Sequence, residues 1–390
     1  MSVLVINAGS SSLKIALFSE DASGAGLRRS LRAFVDYHDA PTRLCLWSDD
    51  DRLLDEQTLP DGPERLTAAL ARVLSECDRC LAGDPLVAVG HRVVHGGADF
   101  AAPVRIDAAH LYALEALTPL APQHQPHNLA GVHVIEQLRP GVAQVACFDT
   151  AFHRSQPRLA QRFALPRDSF DAGLRRYGFH GLSYEYVAGR LAKLDPAAAG
   201  GRVVVAHLGH GASLCALSNG RSIATSMGFS TLDGLMMGTR CGALDPGVLL
   251  YWLQQAGRTV AEVADTLYNR SGLLGVSGLS DDMRVLLASD TPAAAEAVAL
   301  FVYRCVQEIG AMVAVLGGLD ALVFTGGIGE HAAPIRERIV EAVAWLGLVL
   351  DTDANAVDAR CISTVESRAR AWVIPTDEEL QIAMHCRRLG

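Results

Sequence analysis

Three short runs of small residues in this chain are flanked by groups that can bind a phosphate. Ala8-Gly9-Ser10-Ser11-Ser12 follows the apolar run 3–6 and leads to Lys14. His207-Leu208-Gly209-His210-Gly211-Ala212-Ser213 follows the run 202–206. Gly326-Gly327-Ile328-Gly329-Glu330 follows 320–325. Residues without bulky side chains let backbone N–H groups approach an anion closely. Ser10 and Ser12 add hydroxyl donors and Lys14 adds a positive charge. One glycine turn merely reverses a chain; three of them, two in matching contexts, point to a phosphate-bearing ligand. The chain has no GxxxxGK[ST] run, which excludes a P-loop. It also lacks GxGxxG after its first apolar run, which counts against a dinucleotide-binding Rossmann unit.

Two further segments put charge at the ends of apolar runs. His91-Arg92-Val93-Val94-His95-Gly96-Gly97 follows 86–90, and Asp149 follows 145–148. Open α/β sheets bind ligands at such strand ends. An Arg92–Asp149 ion pair closing a sheet edge would account for the same residues without any ligand. The segments RRYGFHGLSYEY (175–186) and MGFSTLDGLMMGTRCGALDPG (227–247) break the surrounding pattern and hold His180 and Arg240. A lone histidine becomes functional only if the fold brings it to the phosphate turns. The chain carries 34 basic against 43 acidic side chains, a formal charge of −9. Any anionic ligand must therefore be met by a local cluster, and sequence-independent binding of nucleic acid, which needs a basic surface, is excluded.

The elements that must position these groups can be read from periodicity. The run 3–6, a small-residue turn and the run 13–18 predict strand, turn, strand. Residues 20–60 are turn-rich and acidic, with short apolar stretches that predict further strands. A helix is expected from Pro63, a favoured first position, to the stop Gly83-Asp84-Pro85. Strands are expected at 86–89 and 142–147, with a helical stretch and the Pro/His segment LAPQHQPHNLAG between them. The second half repeats the opening: 202–206, a glycine turn, then 214–217. The stretch GSSSLKIAL (9–17) loosely matches GHGASLCAL (209–217). Residues 293–317 predict a long helix, apolar on most faces and therefore buried. Residues 320–325 predict a strand, 326–330 a turn entering a helix, 372–375 the last strand, and 378 onward a terminal helix. Apolar runs alternating with helices define an α/β fold, and the repeated hairpin indicates two related domains.

The nine cysteines are scattered and odd in number, which argues against a disulfide framework. Cys77 and Cys80 form a lone CxxC without a second pair, read as chance spacing on a helix. The opening MSVLVINAGS has neither a basic n-region nor a long apolar core, so it does not read as a secretory signal. The uncharged apolar run 309–319 is shorter than the ~20 residues of a membrane helix. Cytoplasmic location with no membrane partner is the expectation. Half of the residues are hydrophobic, consistent with large cores and a buried subunit interface.

VLVINAGSSSLK, GHRVVHGG, LAPQHQPHNL, FDTAFH, RRYGFHGLS, HLGHGAS, GLMMGTR, FTGGIGE and VIPTDEEL, in this order from residue 3 to residue 380, resemble the signatures of the acetate kinase family. The resemblance implies two duplicated actin-like ATPase (ribonuclease H-like) α/β domains around an ATP cleft. An acyl- and phosphate-binding domain would span 1–150, joined by a terminal helix at 378–390, and a nucleotide-binding domain 151–377. It implies reversible phosphoryl transfer from ATP to a short carboxylate, giving an acyl phosphate and ADP, with Mg²⁺ (or Mn²⁺) and a homodimeric enzyme. Asn7 and Glu378 would help to hold the metal. Asp149, His180 and Arg240 would be catalytic: Asp149 as acid/base or metal partner, the other two stabilising the transferring group. Arg92 would bind the substrate carboxylate, and Val94, His124 and Phe179 would line its site. Ser10, Ser12 and Lys14 would lie near the phosphates. His207, Leu208, Gly209, His210 and Gly211, with Asp282, Met283 and Arg284 and with Gly327, Ile328, Gly329, Glu330 and His331, would bind ATP.

The chain departs from the family pattern at several of these segments. Gln123 and Thr231 replace a leucine and a proline of the acyl pocket, which bears on acyl chain length. His210 and His331 replace asparagines at the nucleotide site, which bears on the phosphoryl donor, with pyrophosphate as the alternative to ATP. Leu182 and Tyr184 replace a threonine and a histidine after His180. A propionate- or butyrate-preferring kinase shares all these signatures. A non-enzymatic actin- or Hsp70-like ATPase is the reading from another class. Arg92 and GLMMGTR argue against it, and Asn7, Arg92, His180, Arg240 and Glu378 together argue against an inactive binding protein.

Overall fold

The computed structural model describes every residue except Ser10, Ser11, Ala22, Ser23, Ala25, His38, Asp39 and Gly390. Ser10, expected near the phosphates, thus lies outside the described residues. The chain divides into two compact units, Met1–Phe152 with Asp377–Gly390, and His153–Thr376.

The first unit is built on an eight-stranded sheet. Its strands are β1 (Ser2–Ala8), β2 (Ser12–Glu20), β3 (Leu27–Asp36), β4 (Arg43–Ser48), β5 (Leu53–Thr58), β6 (Leu86–Val93), β7 (Val104–Arg105) and β8 (Ala143–Phe148), in the order β5-β4-β3-β2-β1-β6-β8-β7. The first five form antiparallel neighbours, and β1, β6 and β8 run parallel. Every residue of β1 is buried, as its near-continuous apolar sequence requires of a strand covered on both faces. The helix Arg65–Leu81 buries Ala69, Leu70, Val73, Leu74, Cys77 and Leu81, a stripe at helical spacing, against one face. It starts two residues later than Pro63, and Ala82 in the left-handed region ends it just before Gly83. Cys77 of the lone CxxC points into this core, where burial pushes its thiol well up. A buried neutral thiol of this kind is inert.

The terminal helix Glu378–Leu389 lies against β1, β2, β3, β6 and β8. It approaches β6 so closely that a Cβ on Gly90 would sit 2.5 Å from Ile382 Cγ2 and 2.7 Å from Cys386 Sγ, so glycine is required there. The Pro/His segment, expected as a separate feature between helix and strand, proves to be the start of a helix, Gln125–Leu138. Pro126 fits in its first turn, where no intrahelical N–H bond is needed.

The second unit holds a five-stranded sheet of β9 (Arg202–Leu208), β10 (Ala212–Ser218), β11 (Arg221–Thr225), β12 (Ala321–Thr325) and β13 (Arg370–Val373), in the order β11-β10-β9-β12-β13. Antiparallel pairs β9–β10 and β10–β11 continue into parallel pairs β9–β12 and β12–β13. Order and direction reproduce β3-β2-β1-β6-β8 of the first unit, so the matching hairpins in the sequence are two copies of one architecture. In the first hairpin Asn7 faces Lys14, and in the second His207 faces Ser213.

Two expectations need correction in this unit. The helix Pro292–Leu316 is not buried all round. Ala294, Ala297, Val298, Phe301, Cys305, Ile309, Met312 and Val313 form one buried face, while Tyr303 and Val315 are exposed. At 25 residues, with a stretch of mean hydropathy 1.6, it is also long and apolar enough to cross a membrane, contrary to the expectation drawn from the uninterrupted run 309–319. A core helix of a water-soluble unit has the same make-up, and this one lies against β9, β10 and β11. The glycine run Gly326–Glu330 is likewise not a turn leading to a helix but a helical turn itself, Gly326–His331, with a second helix following at Ala333–Ala342.

Candidate active site

In the first unit the polar groups gather where the parallel strands end. Arg92 is the penultimate residue of β6, and Asp149 directly follows β8, its backbone N–H donating to Val93 O at 3.2 Å. The register pairs Arg92 with Cys147, so the two side chains emerge side by side. Arg92 Nε donates to Asp149 Oδ1 at 3.0 Å and Nη2 to Oδ2 at 2.6 Å, a two-pronged charge-assisted pair. Arg92 Nη1 donates to Asn7 Oδ1 at 3.2 Å, and Asn7 Nδ2 to Glu379 Oε1 at 3.3 Å. Asp149 is 1% exposed and the Arg92 side chain 21%, so the fork is held from below and reaches solvent with its remaining N–H groups. The ion pair weighed from the sequence as an alternative is therefore present, and it also fixes the guanidinium in one orientation.

Glu378, the first residue of the terminal helix, lies 3.9 Å from Arg92 Nε, beyond hydrogen-bond reach. Burial, with the carboxylates of Asp149 and Glu379 nearby, outweighs Arg92 and Lys14 and pushes its carboxyl up to about 7. This is a carboxylate short of positive charge. Among the described residues no group of three or more His, Cys, Asp or Glu is arranged to hold a metal. That does not disfavour Mg²⁺, which takes one or two protein oxygens and completes its shell with water and phosphate. The carboxylate of Glu378 and the amide oxygen of Asn7 are hard ligands of the right kind. Val94, 3% exposed, is fixed by its N–H to Asn128 Oδ1 at 2.9 Å. His124 is the N-cap residue of the helix Gln125–Leu138. Lys14 is exposed on β2, and Ser12 begins that strand.

In the second unit His180 lies at the N-cap of the helix Gly181–Leu194, at φ 59 and ψ 23. A non-glycine residue in the left-handed region is held there only by its surroundings. Its Nδ1 is 2.8 Å from Ser213 Oγ on β10, and its ring stacks on His207 of β9 with centroids 4.3 Å apart. His207 Nδ1 is in turn 2.8 Å from Ser183 Oγ. Arg240 Nη1 donates to Thr231 O at 2.8 Å. Arg240 and His180 converge over the glycine turn: a Cβ built on Gly211 would lie 2.7 Å from Arg240 Nη2 and 3.3 Å from His180 Nε2. The fold thus brings His180 and Arg240 to the second glycine turn, the condition set for His180 to be more than a structural histidine. Phe179, 1% exposed, precedes His180, and its carbonyl takes a hydrogen bond from His153 Nε2 at 2.9 Å.

The third turn joins the second through Gly327 N, 3.9 Å from the Cβ position of Gly209. Glu330 is turned inward, accepting from Gly326 N at 2.8 Å and Thr376 N at 3.1 Å. Its carboxylate satisfies the start of the helix Gly326–His331 itself. Leu208 is fully buried and serves as core. His210 is exposed, with Nε2 3.0 Å from Asp281 Oδ2. Asp282 caps the helix Met283–Leu287 and pairs with the exposed Arg284, while Met283 is buried. His331 is exposed, 3.9 Å from both Glu330 and Asp358. Sequence reasoning missed Arg336, fully buried, which donates to the carbonyls of Gly329 and Glu330, to Asn355 Oδ1 and to Asp358 Oδ1. Its place on the buried face of Ala333–Ala342 was the available signal. Sequence reasoning also gave no role to Ser183 and Tyr184, three and four residues after His180 and so on its face of the helix.

A family model described as the Acetokinase family matches residues 2–384. An acetate kinase of Rhodopseudomonas palustris is 52% identical, covering 100% of this chain and 98% of its own. An acetate kinase of Rhizobium meliloti is 51% identical over 98% of this chain and 97% of its own. Among solved structures, the acetate kinase of Porphyromonas gingivalis superposes with a TM-score of 0.89 at 36% identity, covering 100% of this chain and 99% of that one. A propionate kinase of Francisella tularensis superposes with a TM-score of 0.92 at 36% identity, covering 100% of both. The chain is thus a kinase of the duplicated actin-like ATPase fold, transferring phosphate to a carboxylate. It belongs to the acetokinase family.

Proposed function

We propose that the chain phosphorylates acetate with ATP, reversibly and with Mg²⁺, giving acetyl phosphate and ADP. The observation that carries this reading is the Arg92–Asp149 pair. Its two-pronged geometry leaves one N–H on each Nη of Arg92 to take a carboxylate from the solvent side. Acetate is ionised near neutral pH and needs no proton removed, so Asp149 has no base to supply; its work is to aim Arg92. In the second unit Arg240 Nη2 and His180 Nε2 offer donors over Gly211 for the transferring phosphoryl group. Phosphoryl transfer spreads charge over equatorial oxygens, and fixed donors there reduce the repulsion between carboxylate and phosphate. The backbone amides of the Gly209–Gly211 turn and of the helix start at Gly326 and Gly327 would hold the nucleotide phosphates. Glu378 and Asn7 would hold the metal, which when bound neutralises phosphate charge.

Trapping of the product by hydroxylamine, run with ATP or pyrophosphate as donor, with formate, acetate, propionate and butyrate, and with and without Mg²⁺, tests this reading. Strong Mg²⁺-dependent hydroxamate formation with acetate is the expected result. Product only with propionate or butyrate would reassign the acyl chain, and product only with pyrophosphate would reassign the donor.

Two further elements of the proposal concern the whole protein. It acts in the cytoplasm, in keeping with nine cysteines of which none is in a disulfide, Cys80 among them exposed. It is a homodimer. Leu159, 86% exposed, and Val315, 58% exposed, line a groove with Pro157, Ile223 and Met312, an apolar surface of the kind that subunit contacts cover. Light scattering on the eluting protein would give twice the chain mass, and Leu159→Asp would shift it to the monomer.

A further inference from the structure

The hydroxyl of Tyr184 is fully buried on the first turn of the helix Gly181–Leu194, and its hydrogen-bond partner among the described residues is Ser213 Oγ, at 2.5 Å. Ser213 Oγ is also 2.8 Å from His180 Nδ1. The three groups form a chain, phenol to hydroxyl to imidazole, that ends on the residue assigned to the phosphoryl group. The protons of such a chain have three arrangements, and in one of them Tyr184 and His180 Nδ1–H both donate to Ser213 Oγ, whose own proton then has no acceptor among the described residues. In another, Tyr184 donates to Ser213 and Ser213 donates to His180 Nδ1, and every proton in the chain has an acceptor. In the third, His180 Nδ1–H donates to Ser213 and Ser213 donates to Tyr184. The phenolic proton is then left in a buried site with nothing to receive it, and a buried unmet donor is unfavourable. Burial keeps the phenol protonated at all physiological pH, so the proton is always present to be placed.

We propose that Tyr184 is a positioning residue that acts through Ser213 to fix His180 as the neutral imidazole with its proton on Nε2. This deepens the reading of His180 given above and rests on it for its catalytic consequence. The proton is thereby put on the nitrogen that lies 3.3 Å from the Gly211 Cβ position, beside Arg240 Nη2. His180 then donates to the phosphoryl oxygens without a conformational step. The same arrangement disfavours the imidazolium, which would carry a proton on Nδ1 and force one of the two arrangements with an unmet donor. His207 stacks on His180 with ring centroids 4.3 Å apart and so holds the plane of the His180 ring. The remaining ring against Tyr184, that of His153, meets it edge-on at 5.6 Å and is held by Ser222 and the Phe179 carbonyl. Tyr184 thus sits among three imidazoles and hydrogen-bonds, through Ser213, to the one that faces the phosphate turn.

The test reads the tautomer directly. Protein with ¹⁵N-labelled histidine is examined by long-range ¹⁵N–¹H spectroscopy at pH 7.5, the His180 signals being assigned by their loss in His180→Gln. The expected wild-type pattern is a protonated Nε2 and an unprotonated Nδ1. Tyr184→Phe removes the donor that orients Ser213, so both tautomers should be seen. Its kcat should fall about two- to threefold, as the productive tautomer drops from nearly all of the population to about half or less, with the KM of each substrate unchanged. Ser213→Ala should mix the tautomers as well and stands in if Tyr184→Phe does not fold. A protonated Nδ1 in the wild type, or an unchanged tautomer in Tyr184→Phe, overturns the proposal. If His180→Gln keeps its kcat, the catalytic reading of His180 fails, and the tautomer spectra still decide the role of Tyr184.

Discussion

Asp149 shows how a residue's task is set by what holds it. Both its oxygens face Arg92, at 2.6 to 3.2 Å, and it is almost entirely shielded from solvent. Removing one charge from such a pair leaves the other mis-aimed and poorly solvated. Asp149→Asn is therefore expected to raise the KM for the carboxylate by about tenfold or more, while the Mg²⁺ concentration needed for half-maximal rate changes little. Steady-state rates across carboxylate and Mg²⁺ concentrations separate the two effects; a large shift in the Mg²⁺ response with the carboxylate KM intact would move Asp149 to the metal. Arg92 and Asp149 were open to discovery in the sequence, because each follows a buried run that could only be a strand. Other contacts were not. Nothing local to Thr231 announces that its carbonyl anchors Arg240, and nothing in HLGHGAS says that Ser213 will meet His180, thirty-three residues earlier. Such contacts depend on where separate elements dock, which residue types and spacing do not encode.

The two hairpins hold the polar groups nearest the glycine turns. Each places a glycine-containing turn between antiparallel strands, and each displays a polar pair across the ladder beside that turn, Asn7 with Lys14 and His207 with Ser213. The strands were legible because β1, β9 and β12 are apolar runs bounded by small residues. The helix Gly326–His331 was not, because glycine is the poorest helix former apart from proline. Its short turn is stabilised from outside by Glu330 at its start and by Arg336 at its last carbonyls. The second hairpin gives a direct test of convergence. Gly211→Ala would place a methyl carbon 2.7 Å from Arg240 Nη2, so the end of the Arg240 side chain must move away from the turn. Thermal unfolding of Gly211→Ala should stay within a few degrees of the parent, while kcat falls by about a hundredfold, in line with misplacing a donor to the phosphoryl group. Equal rates in the two proteins would show that nothing reactive sits over this turn.

The whole molecule is one architecture used twice, with strand order and direction preserved between units that differ in what decorates them. Its stability should carry a signature of two histidines in the first unit. Both are buried, and burial pushes His91 and His95 down to about 4. His91 Nε2 donates to Gln144 Oε1 at 2.8 Å, and its Nδ1 has no hydrogen-bond partner among the described residues. His95 Nδ1 accepts from Gly97 N at 2.8 Å. Both rings are therefore neutral in the folded protein, whereas in the unfolded chain they take up protons near pH 6.5. Below that pH the unfolded state binds more protons than the folded one, so stability is lost as pH falls from about 6.5 towards 4. Glu378 works the other way: its carboxyl, raised to about 7, is protonated earlier in the folded state and offsets part of the loss above its unfolded value. A variant isolates the histidine contribution from that background. Between pH 7.5 and pH 5, the wild-type free energy of unfolding from urea titrations should fall by about 2 kcal/mol more than that of His91→Gln. The baseline cost of the substitution is the same at both pH values and cancels in this comparison. Equal slopes for the two proteins would mean that the folded chain accepts a proton on His91, and that the ring is not held neutral by its burial.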